Sequence, residues 1–459
     1  MRVLRSQRVV FSDGERPAQV VIEGERIARI AALDEPFPSQ LVEDLGSYAL
    51  LPGLVDCHVH VNEPGRTAWE GFATATRAAA AGGVTTIVDM PLNSIPATTT
   101  YAALQQKIDA LGDQLTVDVG LWGGVVPGNR AELKPMIKAG ALGFKCFLVD
   151  SGVDEFPAVD AAILKDALTE LAITTAPILV HAELPGPIEA AAAAFAASGA
   201  ADDEASRRAY ARYLESRPPR AEDEAIALVS QLCDETRGRA HIVHLSAASA
   251  LSTLLAHRER GLSQLTAETT PHYLVLEAEQ IPDGATEYKC APPIREHANR
   301  EALWRGLGAG LVDFVVTDHS PCTPDLKRME VGDFVGAWGG IASLQLGLRA
   351  VWTEASTRGH QLVDLVRWMA EQPARLASQT GRKGRIAVGY DADLVVFDPE
   401  HREVISAESI QHRHKVTPYL GRTLRGRIVA TWLRGERIFA HGQAIARRGR
   451  RLDAASGAA

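Results

Sequence analysis

Residues 54–61 read LVDCHVHV. The run is apolar enough for a buried strand, yet it carries two imidazoles at positions i and i+2. Side chains on a strand alternate between faces, so His58 and His60 point one way and Val59 the other. Two histidines sharing the end of an apolar strand form a metal-ligand pattern, and a hydrogen-bonded surface pair is the competing reading. A helical pattern, WEGFATATRAAAAGG, follows, and TTIVDMP opens the next apolar run.

The alternation continues outward from there. VDVGLWGGV, GFKCFLV, PILVHAE, AHIVHLS, LTAETTPHYL and DFVVTDHSP are strand candidates, each followed by a loop and a helical pattern. About eight strand–helix units imply a parallel sheet closed into a (β/α)8 barrel of the TIM type. An open doubly wound sheet would gather its polar residues at one switch point, whereas here they recur at the C-terminal ends of many strands. The Ala-rich stretch from Ile188 predicts helix, and SRPPRAED predicts a break before the next one. Short strand-like runs flank this region: RVVF, AQVVIEGERIARI and YALLPG before it, and ADLVVFDP, HKVTPYLG and IVATWLRGERIF after it. The expected organisation is residues 1–51 as the first part of a small β domain, 52–384 as the barrel, and 385–459 as the second β part. The tail RRGRRLDAASGAA is expected to fray.

Composition narrows the function class. The 459 residues include 48 Lys+Arg and 57 Asp+Glu, a net charge of 48 − 57 = −9, which speaks against a nucleic-acid partner. The opening MRVLRSQRVVF has no apolar h-region, and no long apolar run is present, so neither a secretory leader nor a membrane span is expected. Five cysteines without CxxC spacing suit a reducing cytoplasm. The expectation is a cytoplasmic enzyme acting on a small molecule.

Several ionisable residues stand where apolar strands end. His181 closes PILVHAE, and His244 closes AHIVHLS; His241, three residues earlier, reads as a packed histidine on the opposite face. Asp318 follows DFVVT, where a carboxylate is costly unless paired or metal-bound; capping the next segment is the alternative. Lys145 lies inside GFKCFL. It either pairs with a carboxylate across the barrel or, desolvated and nucleophilic, reacts with carbon dioxide to form a carbamate, an anionic ligand. Nitrogen and oxygen donors without thiolate suit zinc, iron, manganese or cobalt at a catalytic centre.

GLVDCHVHVNEPG, AGGVTTIVDMPLNS, GFKCFL, VHAE, HIVHLS, KCAPPIR and VVTDHSPC together resemble the cyclic amidohydrolases, which include dihydroorotases, hydantoinases, dihydropyrimidinases and allantoinases. GRIAVGYDADLVVFDP resembles that family's return from the barrel to a β-sandwich built from both chain ends. The resemblance implies one divalent ion on His58, His60 and Asp318 and a second on His181 and His244. Lys145, as N6-carboxylysine, and a hydroxide would bridge them, with Asp318 as the general base and acid. It also implies a homo-oligomer, a tetramer by analogy.

Departures from the family's patterns bear on the substrate. Many dihydroorotases carry an arginine two positions after the second histidine; Asn62 stands here and offers no charge to an anionic ring. Hydantoinases usually carry a tyrosine five residues past the bridging lysine, where this chain has Asp150. NEPGRTAWEGF, DMPLNSIP and FKCFLVDSGVDEFP look most like allantoinases, which implies a cyclic ureide substrate, allantoin, opened to allantoate. Asn62, Asn93 and the backbone near Ala291 are the expected substrate contacts, while an Asx turn before Ile95-Pro96 also accounts for Asn93. Glu63 and Arg66 are expected to orient the loop rather than touch substrate. A hydantoinase, a dihydropyrimidinase or a dihydroorotase-like enzyme is the alternative; a non-catalytic scaffold predicts losses among the six ligand positions, and none is present.

Overall fold

The structure is a computed structural model that describes residues 1–262 and 264–454. It is a TIM-like barrel beside a β-sandwich domain.

Eight parallel strands in chain order line the barrel: Leu54–Val59, Val84–Asp89, Asp118–Leu121 with its continuation Gly123–Gly124, Phe144–Phe147, Ile178–His181, Ala240–Ile242, Leu265–Thr269 and Phe314–Val315. The side chains of seven of the eight strands are buried throughout; Thr266, in Leu265–Thr269, is half-buried. That burial is why these strands read as apolar runs rather than as alternating ones. Closure comes from a parallel bridge between Val59 and His319, with the His60 amide donating to the His319 carbonyl at 2.8 Å. The first and last strands therefore meet at the position where the ionisable residues cluster.

LTAETTPHYL is strand only as far as Thr269. Pro271 starts a short helix, Pro271–Val275, because a proline fits the first helical turn but cannot donate to a ladder. The Ala-rich run is the helix Pro185–Ala197, and SRPPRAED spans the break between helices Tyr210–Ser216 and Pro219–Thr236.

The sandwich unites both ends of the chain in one nine-stranded sheet. Ala49–Pro52, which leads directly into the first barrel strand, pairs antiparallel with Leu394–Phe397, with Leu50 opposite Val396. The hairpin Thr423–Leu433 and Glu436–Ala440 turns through Arg434 and Gly435, both at positive φ.

Two expectations are corrected here. HKVTPYLG is a loop, not a strand: its Thr417 hydroxyl donates to the Ala342 carbonyl, and His414 reaches the Ala68 carbonyl, so its polar groups serve the barrel loops. The described part of the tail is docked rather than frayed. Leu452 is buried, and Arg451 bridges Val119 beside the third barrel strand; residues 455–459 lie outside the described residues. No helix among the described residues is long and apolar enough to cross a membrane.

Candidate active site

The barrel strands bring His58, His60, Lys145, His181, His244 and Asp318 together at their C-terminal ends, all buried. The His58 ring centroid lies 5.5 Å from that of His60 and 5.3 Å from that of His244; those of His181 and His244 are 4.7 Å apart. Asp318 Oδ1 is 3.2 Å from His58 Nε2 and 3.7 Å from His60 Nε2. His244 and Asp318 sit at φ +40° and +43°, and Asn62 and Asn93 at +66°. Non-glycine residues reach this region at a cost of about 1–3 kcal/mol, and such strain concentrates at functional sites.

The same turns overrule simple alternation. The strand holding His241 ends at Ile242, and His244 follows a bend, so both imidazoles face the interior. His241 is fully buried, as expected of a packed histidine, but it has a further task. Its Nε2 lies 3.0 Å from Glu268 Oε2, while Glu268 Oε1 lies 2.5 Å from His58 Nδ1. Glu268 thereby directs His58 Nε2 toward Asp318. A second carboxylate does the same for His181: Glu183 Oε2 is 2.7 Å from His181 Nε2 and pairs with Arg217 at 2.5 Å.

Burial governs the electrostatics. It holds the His58, His60 and His244 imidazoles well below their ordinary value, so they are neutral donors of lone pairs. Burial lowers the Lys145 ammonium against the opposing pull of Asp318 and Glu268, and it raises the Asp318 carboxyl against the opposing pull of Lys145. Glu268 is pushed up to about 8 by burial. Glu183 is the exception, because Arg217 and His181 outweigh burial and hold it at about 2.

The residues present fit a metal centre. Lys145 Nζ, His58 Nε2 and His244 Nδ1 are buried without a hydrogen-bond partner, although buried polar atoms are rarely left so. His58, His244 and Asp318 each offer a ligand atom within 4.8 Å of the others. A second buried group, Asp118, Asp391 and Asp393, shows the same spacing but is held by Lys383 and Arg434, an ion cluster at the joint of barrel and sandwich.

A cavity of about 530 Å³ opens over the ring, lined among others by His60, Asn93, Asp150, Arg217, Ala291 and Trp338. Asn93 and Ala291 therefore face it. Asn93 Nδ2 is 3.5 Å from His60 Nδ1, and its carbonyl accepts from Arg66 at 2.9 Å. Asn62 is not among the lining residues: it is buried, and its amide donates to the Pro321 carbonyl at 3.3 Å. Glu63 accepts from the Phe72 amide at 2.7 Å and Arg66 pairs with Glu155, so both hold loops.

Glu183, Glu268 and Arg217 escaped the sequence reading. The signal for the first two was available, since each is a carboxylate in or beside an apolar strand, the same anomaly that singles out Asp318.

Comparison with known proteins agrees with this geometry. The Amidohydrolase family profile matches residues 49–438. The chain is 49% identical over 451 residues to an allantoinase of Streptomyces avermitilis, covering 98% of each chain. It is 42% identical over 460 residues to an allantoinase of Saccharomyces cerevisiae, covering 97% of each. Among solved structures it resembles the L-hydantoinase (dihydropyrimidinase) of Arthrobacter aurescens, with a TM-score of 0.91 at 30% identity over 99% of this chain and 100% of that one.

Proposed function

Since the chain belongs to the amidohydrolase family, we propose that it hydrolyses the hydantoin ring of allantoin to allantoate, a step of purine breakdown. The observation that carries this reading is the buried ring of four histidines, Lys145 and Asp318, in a chain whose full-length relatives are allantoinases. His58, His60 and Asp318 would hold one divalent ion, and His181 and His244 a second. Lys145, carboxylated by carbon dioxide or bicarbonate, would be shared by both. Zinc fits the donor set first; iron, manganese and cobalt accept the same donors. When bound, such ions polarise an amide carbonyl and acidify a water.

The chain's own residues do the rest. Asp318 takes the proton of the attacking water and hands it to the departing ring nitrogen. Glu268 and Glu183 orient the imidazoles of His58 and His181, leaving His58 Nε2 without a partner and turning His181 Nδ1 toward His244 Nε2 at 3.0 Å. Asn93 and the backbone at Ala291 hold the ring, and Asn62, set back from the cavity, supports the loop that carries His60. The division at residues 51–52 and 384–385, a cytoplasmic location and a homotetramer complete the proposal.

A second reading, hydantoinase or dihydropyrimidinase, is favoured by the likeness to the Arthrobacter enzyme. One experiment separates the two. Allantoin, hydantoin, dihydrouracil and dihydroorotate are compared as substrates, with metal content measured on the same sample. Allantoin turnover is expected, lost with a chelator and restored by divalent metal with bicarbonate. Turnover of hydantoin or dihydrouracil without allantoin would sink the allantoin reading.

A further inference from the structure

One wall of the cavity is made of backbone that should not hold its shape unaided. Residues 335–340 read VGAWGG, three glycines in six positions, and Val335, Ala337, Trp338, Gly339 and Gly340 all line the cavity. Glycine loses the most conformational freedom on ordering, so such a segment samples many shapes unless it is tied. Gly340, at φ +114°, is in a conformation that residues with a side chain rarely adopt.

Two lysines tie it. Lys289 Nζ donates to the carbonyls of Val335 at 3.0 Å and Ala337 at 2.6 Å, and its own carbonyl accepts from the Gly340 amide at 2.8 Å. Lys327 Nζ donates to the Trp338 carbonyl at 3.1 Å and also to the Gly340 carbonyl. Four of the six carbonyls are thus held by two ammonium groups. Both lysines are buried, 9% and 4% exposed, and neither has a carboxylate partner among the described ion pairs. A buried cation without a counter-ion is costly, and an apolar residue of similar size would stabilise the fold more cheaply. What the charge supplies is strong, directed hydrogen bonds to the carbonyls of a backbone whose amides are held from the other side. Their consequence is the placement of Trp338. Its ring meets Trp69 edge-on at 5.2 Å, and a Cβ added at Gly152 would lie 3.7 Å from it, so the indole joins three loops at the cavity.

We propose that Lys289 and Lys327 are paired positioning residues that clamp the 335–340 backbone into a substrate-shaped wall. They act on substrate binding rather than on the bond-breaking step. The inference rests on the proposed cyclic-amide hydrolysis in this cavity, and its test is readable with whichever ring the wild-type protein opens.

Lys289→Gln and Lys327→Gln are compared with wild type for KM, kcat, metal content and hydrogen exchange of the peptide spanning 333–341. KM is expected to rise at least about tenfold in each, with kcat within about threefold, metal content unchanged, and exchange accelerated in that peptide. Should the Gln variants not fold, Lys289→Arg and Lys327→Arg decide, since they keep the charge but present a planar head to carbonyls fitted to a point charge. A KM rise of about threefold or more at constant kcat supports the clamp. Unchanged KM, or a loss confined to kcat, overturns it. Failure on allantoin with turnover of another ring overturns only the substrate reading, and the same variants are then scored on that ring.

Discussion

Lys145 concentrates the chemistry of the site in one atom. Its Nζ is buried, has no hydrogen-bond partner and is surrounded by four imidazoles held neutral by burial. Lys145→Ala is expected to lower kcat/KM by at least about a hundredfold and to reduce bound metal well below that of wild type, checked by steady-state kinetics and elemental analysis. Equal activity in the variant would point to a mononuclear mechanism. Glu268→Gln keeps the shape but leaves one oxygen where His58 and His241 each meet one, and a loss of about 10–100-fold in activity or metal affinity is expected from the misdirected His58. The six ring residues were legible in the sequence because each is an ionisable group where apolar strands end, and an unpaired charge there is too costly to be accidental. The supporting carboxylates were not. Their partners, His241 and Arg217, come from other strands and loops, and the left-handed turns at His244 and Asp318 that aim the ring leave no mark in the residue types. Asn62 stands where many dihydroorotases carry an arginine; here its turn at φ +66° buries it and its amide donates to the Pro321 carbonyl.

At the scale of elements, the loop after the second barrel strand depends on a buried pair. Lys107, on the helix Tyr101–Leu111, donates to Asp89 Oδ2 at 2.7 Å at the end of the strand Val84–Asp89, and the other oxygen of Asp89 accepts from the Val61 amide at 2.8 Å. The helix therefore braces the backbone just past His60. Lys107→Met strands a buried carboxylate, and a loss of about 3–5 kcal/mol is expected in urea denaturation, with activity falling before the global transition. The barrel strands were readable because burial on both faces leaves an unmistakable apolar run. HKVTPYLG was misread because its β-branched residues resemble a strand, while its polar groups are spent on the barrel loops around Ala68 and Ala342.

Across the whole molecule, barrel and sandwich are joined by the cluster of Asp118, Asp391, Asp393, Lys383 and Arg434, all buried. Lys383→Met leaves Asp393 without a cationic partner, while Asp118 keeps Arg434 and Asp391 keeps Arg382. It is expected to destabilise the protein by about 3–5 kcal/mol, read as a lowered thermal midpoint. Acid should act elsewhere. Glu183 is held at about 2 against an ordinary 4.5, so its contribution is complete above about pH 4.5 and disappears as pH falls toward 2. Glu183→Gln is expected to flatten that acid limb of metal-free stability, checked by denaturation across the pH range. An unchanged limb would assign the acid sensitivity to other carboxylates.

The pairing of Ala49–Pro52 with Leu394–Phe397 also sets an order of events during synthesis. Between Pro52 and Leu394 the ribosome must add 394 − 52 = 342 residues. At roughly 5–20 residues per second this takes on the order of tens of seconds. Throughout that interval the inner strand of the sandwich has an open edge, while the barrel strand it leads into is already able to pair. The barrel can therefore close before its companion sheet is complete. A nascent chain stalled short of residue 394 carries an apolar strand paired to Arg2–Phe11 on one side and open on the other, the feature that chaperones bind and aggregates recruit.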